Sequence, residues 1–186
     1  MSKLEKILLN KKSCKSVWFM RQAGRYLPEF REIRLKNPDF IKLCLNPELS
    51  SEITLQPIKR FDFDGAIIFS DILMLPYGLN QKVEFKKNYG PQLGNINIDE
   101  IKNIDEIDFT QKLNAVYKAI SITSQNTLLK NKDLIGFVGA PWTILVYMIN
   151  KISPKNNLST NFFNNKNLID DLIKIIEKFL KIQNGY

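Results

Sequence analysis

The sequence contains no histidine. That removes any Ser–His or Cys–His nucleophile from these 186 residues and makes a zinc site hard to assemble, because those sites rely on imidazole as base or ligand. Cysteine is nearly as scarce. Cys14 and Cys44 have no metal-type spacing, and the opening MSKLEKILLN lacks the apolar core of a secretory signal, so a cytoplasmic protein with reduced thiols is expected. Long apolar runs are missing as well. The longest uncharged stretch, residues 134–150, is shorter than the about 20 residues a membrane span needs and carries Gly136, Gly139 and Pro141, so it reads as buried core and no membrane partner is expected. What is present, 44% hydrophobic residues, suits one globular domain over 1–186 rather than a disordered chain.

Acidic residues are outnumbered, 19 against 27 basic, and the formal charge of +8 favours anionic ligands. Twenty-two of the basic residues are lysines spread along the chain, which reads as solvated surface, and nucleic acid is not an expected partner. Arginine behaves differently: of five, Arg21, Arg25, Arg31 and Arg34 fall within fourteen residues. A guanidinium is a permanently charged planar fork that grips a carboxylate through two parallel hydrogen bonds, which an ammonium does not reproduce. Arg31 and Arg34 fit a solvated helix face paired with Glu29 and Glu32. Arg21 and Arg25 flank Gln22, Ala23 and Gly24 directly after an apolar run, which favours a binding role.

Three short apolar runs read as buried strands: residues 17–20, ending at Arg21; 66–69, ending at Ser70 and Asp71; and 134–138, ending at Gly139, Ala140, Pro141, Trp142 and Thr143. Helical spacing appears over 2–10, over 47–60 with an end or kink near Pro57, and over 168–182. The biased stretch 150–167 reads as a polar connection. Strands alternating with helices argue for parallel βαβ construction, and in such barrels reactive groups gather at the carboxyl ends of the strands. The spacing therefore predicts one mouth lined by two guanidiniums, the Asp71 carboxylate and a Pro-Trp-Thr turn. Two arginines close by would hold Asp71 ionised at a depressed pKa, although an Asp in this position also serves as a helix cap. Tyr147 lies four residues after Thr143 on the helix that Pro141 begins, a position that suits packing as well as catalysis.

The run Trp18-Phe19-Met20-Arg21-Gln22-Ala23-Gly24-Arg25-Tyr26-Leu27-Pro28-Glu29 closely resembles the N-terminal signature of the uroporphyrinogen decarboxylase family. Gly136-Phe137-Val138-Gly139-Ala140-Pro141-Trp142-Thr143 resembles its second signature. Between them Pro47-Glu48-Leu49, Thr54-Leu55-Gln56-Pro57 and Ile67-Ile68-Phe69-Ser70-Asp71-Ile72-Leu73 follow in the family's order, so the resemblance covers nearly the whole chain.

The resemblance implies an α/β fold that is the N-terminal half of a TIM (β/α)₈ barrel, with parallel strands inside and helices outside. It implies removal of carbon dioxide from the four acetate arms of uroporphyrinogen III, giving coproporphyrinogen III in haem biosynthesis, with no cofactor and no metal. Asp71 would accept hydrogen bonds from the pyrrole N–H groups and stabilise positive charge on the protonated ring. Arg21 and Arg25 would bind substrate carboxylates, with one of them, or a water it orders, delivering a proton. Gln22 and Ala23 would line the pocket, and Tyr147 would support the reacting arm and Asp71. The sequence departs from the family at Ser16, where proline is usual, and at residues 150–154, where a glycine-rich segment is usual. A complete barrel takes about 250 residues, and only three strands are visible here. A complementary C-terminal fragment, which would supply the missing half, or a second copy in a homodimer is the expected protein partner. The alternative is an inactive remnant of a split or decaying gene. A methyl-transferring, metal-dependent barrel relative fits less well, since such relatives lack the Arg-Gln-Ala-Gly-Arg run found here.

Overall fold

A computed structural model describes residues 1–9, 11, 14–24, 26–86, 89–154 and 164–185. In chain order the elements are α1 (Lys3–Leu8), α2 (Pro28–Lys36), α3 (Phe40–Cys44), α4 (Pro47–Phe61), β1 (Gly65–Ile67), α5 (Met74–Gly78), β2 (Val83–Lys86), β3 (Gly90–Leu93), α6 (Ile98–Lys102), α7 (Glu106–Lys112), α8 (Asn114–Ser124), a 3₁₀ turn (Thr127–Leu129), β4 (Asp133–Ile135), α9 (Pro141–Asn150) and α10 (Lys166–Asn184). The chain forms two compact units, one of residues 1–70 and 115–137, the other of residues 71–114 and 138–186.

In the first unit β1 and β4 pair in parallel, Gly65 with Asp133 through Ile67 with Ile135, as the alternating pattern led one to expect. Leu55 and Ile58 of α4 pack with Ala66 and Leu129 to make the core beneath this pair, flanked by Phe63, Leu128 and Leu134. Helix α4 starts where Asn46 accepts the Leu49 N–H and Pro47 occupies the first turn. It does not end near Pro57 but runs on to Phe61. An internal proline costs about 3 kcal/mol, whereas burying Ile53, Leu55 and Ile58 returns about 1.5–3 kcal/mol each. Packing therefore wins, and the helix stops where Asp62 turns left-handed.

Residues 17–20 were expected to be a buried strand and are not. No strand forms there, and Val17, Trp18, Phe19 and Met20 are 54%, 37%, 58% and 79% exposed. The other two expected strands are present but shorter and shifted by one residue towards the N-terminus, and Phe137 lies exposed beyond β4. The arginine pairing on α2 also differs from expectation. Glu29 is held by Arg60 of α4 through two bonds of 3.0 and 2.9 Å, while Arg34 donates to the Asn37 carbonyl at 2.7 Å and sits over the Phe40 ring. The fork of Arg60 matches the Glu29 carboxylate, and this pair holds the Glu29 pKa below the usual carboxylate range.

In the second unit α10 turns Ile169, Leu172, Ile176, Phe179 and Leu180 inward on one stripe. Phe179 meets Phe109 of α7 with ring centroids 4.6 Å apart. An antiparallel hairpin, β2 with β3, joins this unit and was not foreseen, because Pro91 and Gly90 obscure its alternation. Its far strand is tied to the end of α9 by the Leu93 N–H donating to the Lys151 carbonyl. The polar stretch 150–167 lies largely outside the described residues.

Candidate active site

The expected site residues divide between the two units: Arg21, Gln22 and Ala23 belong to the first, Asp71 and Tyr147 to the second. Each group is described within its own unit. Arg25 lies outside the described residues.

In the first unit Arg21 is exposed and Gln22 is 4% exposed. Gln22 Nε2 donates to the Gly65 carbonyl at 2.7 Å, and the Ile67 N–H donates to Gln22 Oε1 at 3.0 Å. A primary amide thus does for this side of β1 what a neighbouring strand would do, one donor and one acceptor spaced to match residues 65 and 67. The polar atoms of Gln22 are engaged there, so the residue positions the Arg21–Gly24 turn, which closes as the Gly24 N–H donates to the Gln22 carbonyl at 2.7 Å. Half-buried Ala23 sits within that turn. The turn leads directly into α2, whose first residue is Pro28.

Sequence reasoning missed Thr54. Its hydroxyl is buried, donates to the Ser50 carbonyl at 2.7 Å and accepts the Phe69 N–H at 2.8 Å. It fixes the backbone at the end of the β1 segment, where Phe30 and Phe40 also meet Phe69 edge-on. Its signals in the sequence were a place in the family-like run Thr54-Leu55-Gln56-Pro57 and on an amphipathic helix, neither of which gave it a role. Thr54→Val keeps the shape and removes the acceptor, leaving a buried N–H unpaired, and is expected to cost about 1–3 kcal/mol in chemical denaturation.

In the second unit Asp71 begins the approach to α5. Its Oδ1 accepts the Leu73 N–H at 2.8 Å and its carbonyl accepts the Met74 N–H at 3.1 Å, a turn built on the side chain that delivers the chain into the helix. The capping alternative is thus met in part, although the residue next to the helix is Leu73. Within this unit and among the described residues, Oδ2 takes no donor. The expectation of a depressed pKa is overturned: burial raises the Asp71 carboxyl above the usual carboxylate range, and the Leu73 N–H offsets only part of this. Desolvation of a carboxylate acts directly on the group, whereas depression needs a cation held against it.

Tyr147 lies half-buried on α9, which Pro141 opens as expected, one turn after exposed Thr143. Its hydroxyl is 3.5 Å from Ser153 Oγ. Gly139, just before α9, is required by close approach: a Cβ there would stand 2.7 Å from Ile144 Cγ1 and 3.1 Å from Ile72 Cβ. The second signature thereby packs directly against the residue after Asp71.

In chain order the described residues thus hold an amide-locked turn carrying an exposed guanidinium, a half-buried carboxyl whose pKa is raised, and a proline-started helix bearing a tyrosine. The profile described as Uroporphyrinogen decarboxylase (URO-D) matches residues 10–184. The chain belongs to the uroporphyrinogen decarboxylase family. It is 43% identical over 167 residues to a protein of Caulobacter vibrioides named uroporphyrinogen decarboxylase, covering 86% of this chain and 46% of that one. To the Neorickettsia sennetsu protein of the same name it is 45% identical over 184 residues, covering 94% of this chain and 55% of the relative. To the Campylobacter jejuni protein so named it is 41% identical over 170 residues, covering 89% and 50%. The chain spans about half the length of the curated relatives it matches. Arg21, Gln22, Ala23, Asp71 and Tyr147 all fall inside the family match. Among the described residues no helix is long and apolar enough to cross a membrane.

Proposed function

We propose that this chain is the N-terminal half of a (β/α)₈ barrel and contributes Arg21, Arg25, Asp71 and Tyr147 to a site that converts uroporphyrinogen III to coproporphyrinogen III. Membership of the family supports the reaction class, and the parallel pairing of β1 with β4 supports the barrel reading. The observation that carries the site is Asp71: a carboxyl with a raised pKa, one oxygen tied by Leu73. Pyrrole N–H donors arriving at that carboxylate would replace the hydration it lacks and lower its pKa. A cationic pyrrole formed by protonation would then face a fixed negative charge, the kind of preorganised stabilisation that lowers a barrier most. Carbon dioxide leaves as the C–C electrons neutralise that cation and form an exocyclic methylene; a proton then adds to the methylene carbon to make the methyl group and the ring proton is lost, so that one proton is consumed for each carbon dioxide released. The exposed Arg21 suits an acetate or propionate carboxylate. A guanidinium holds its proton too firmly to be a good general acid, so Arg21 acts mainly in binding.

Because the chain spans about half of its relatives, the reaction is expected only when the rest of a barrel is supplied. Coproporphyrinogen formation should be assayed with this chain alone and with the part of the Neorickettsia sennetsu relative that it does not match. Product in the mixture supports the reading, and none in either arm refutes it. The exposed run Val17, Trp18, Phe19 and Met20 favours a second reading, an inactive remnant with an unfinished core. Absence of a cooperative unfolding transition in the mixture would select it.

A further inference from the structure

A helix leaves its final carbonyls without an intrahelical donor. In the second unit α9 ends because Lys151 turns left-handed, at φ 63°, so helix geometry no longer brings the N–H of residue 152 to the Met148 carbonyl. Gln81, 67 residues away in the chain, supplies the donor instead. Its Nε2 donates one proton to the Met148 carbonyl at 2.9 Å and the other to the Gly94 carbonyl, also at 2.9 Å. The residue is 4% exposed, and its Oε1 takes no donor among the described residues. A buried unpaired oxygen is destabilising; what this side chain contributes is therefore its NH₂ group, shared between a helix end and the base of the β2–β3 hairpin.

That brace governs the segment just past α9. A left-handed backbone is unfavourable for a residue with a side chain, and here it is held from outside. The Leu93 N–H donates to the Lys151 carbonyl at 2.7 Å, Lys151 Nζ donates to Asn95 Oδ1 at 2.6 Å, and Ile152 bridges antiparallel to Gln92. Ser153 follows at once, with its Oγ 3.5 Å from the Tyr147 hydroxyl. Such a separation is long for two hydroxyls, so the pair depends on the frame around it rather than on its own strength.

We propose that Gln81 is a positioning residue for Tyr147: by tying the end of α9 to the hairpin it fixes residues 151–153 and sets Ser153 beside the tyrosine hydroxyl. The proposal rests on the reading in which Tyr147 supports the reacting arm, and deepens it by naming what aims the tyrosine. Gln81 acts through the backbone and has no contact with substrate in this role.

The test uses the full chain with fluorotyrosine placed at position 147 and, separately, at 117 on α8 of the first unit as a remote control. Gln81→Met keeps the length of the side chain and removes both donors. Its expected signature is a displaced Tyr147 fluorine resonance, an unmoved Tyr117 resonance, and exchange at least about tenfold faster at the Leu93 amide. Ser153→Ala should displace the Tyr147 resonance and leave the Leu93 amide as in the parent. In the parent, both side-chain amide protons of Gln81 should exchange at least about tenfold more slowly than those of exposed Gln111. An unmoved Tyr147 resonance in either variant, or unprotected Gln81 protons in the parent, would overturn the proposal; the parent and Ser153→Ala decide it even where Gln81→Met does not fold. Activity is a separate readout. In the reconstituted mixture Gln81→Met should lower kcat on the order of tenfold to a hundredfold. A displaced Tyr147 resonance with unchanged turnover would refute the role given to Tyr147 and leave the positioning intact, and lost turnover with that resonance in place would do the reverse.

Discussion

Asp71→Asn is expected to lower coproporphyrinogen formation by at least about a thousandfold in the reconstituted mixture while making the protein more stable at neutral pH. The loss follows from removing the negative charge that faces the protonated pyrrole, since a single well-placed group of this kind is worth about 10²–10³ in rate even when neutral. The gain follows from burial. A carboxyl whose folded pKa lies above its unfolded value takes up a proton more readily when folded, so stability rises as pH falls through the folded pKa towards the unfolded one and is lowest above both. Asn keeps an acceptor for the Leu73 N–H and carries no charge to desolvate. We expect about 0.5–2 kcal/mol of stabilisation at pH 7, shrinking as the pH drops through the carboxylate range. Chemical denaturation at pH 7 and pH 4 checks it. A variant that loses activity and stability together would mean that Asp71 is a structural cap.

Gln22→Leu should be the most destabilising single change near the site. The side chain is buried and fills two positions of the β1 ladder, donor to Gly65 and acceptor from Ile67. Leucine supplies neither, and two backbone groups lose their partners at about 1–3 kcal/mol each. The expected cost is about 2–5 kcal/mol, read as a lower denaturation midpoint with little change in slope. The same substitution frees the Arg21 turn, so residual activity should show a raised KM. A cost below 0.5 kcal/mol would show that β1 holds without this amide.

These two residues also show what the sequence made legible. Local chemistry read well: Pro141 opening α9, the amphipathic stripe of α10 and the parallel β1–β4 pair each depend on spacing within one element or on strand–helix alternation. What failed depended on neighbours. Residues 17–20 have the composition of a buried strand, but composition does not say whether a neighbouring segment pairs with them and covers them. Pro57 carries the signal of a helix end or kink; the helix expected over 47–60 is present and runs to Phe61, the apolar residues around Pro57 being buried deeply enough to carry it past the proline. The resemblance gives Gln22 a place in the pocket lining; its hydrogen bonds to residues 43 and 45 positions away are not visible from the sequence. Asp71 was located correctly after its strand, but the direction of its pKa shift was not, because the expected shift relied on two arginines gathered at a shared mouth, whereas desolvation acts on the carboxyl directly. Thr54 stood in a quoted motif, but nothing there told of its bond to the Phe69 N–H, and the β2–β3 hairpin had no distinctive signal.

The most direct test is the titration of the Asp71 side chain, followed through its carboxyl carbon by NMR in the mixture of this chain with the unmatched part of its relative, with and without the tetrapyrrole. We predict a pKa above the ordinary carboxylate range without substrate and a clear downward shift once pyrrole N–H groups bind. An ordinary pKa that the tetrapyrrole leaves unchanged would contradict the account.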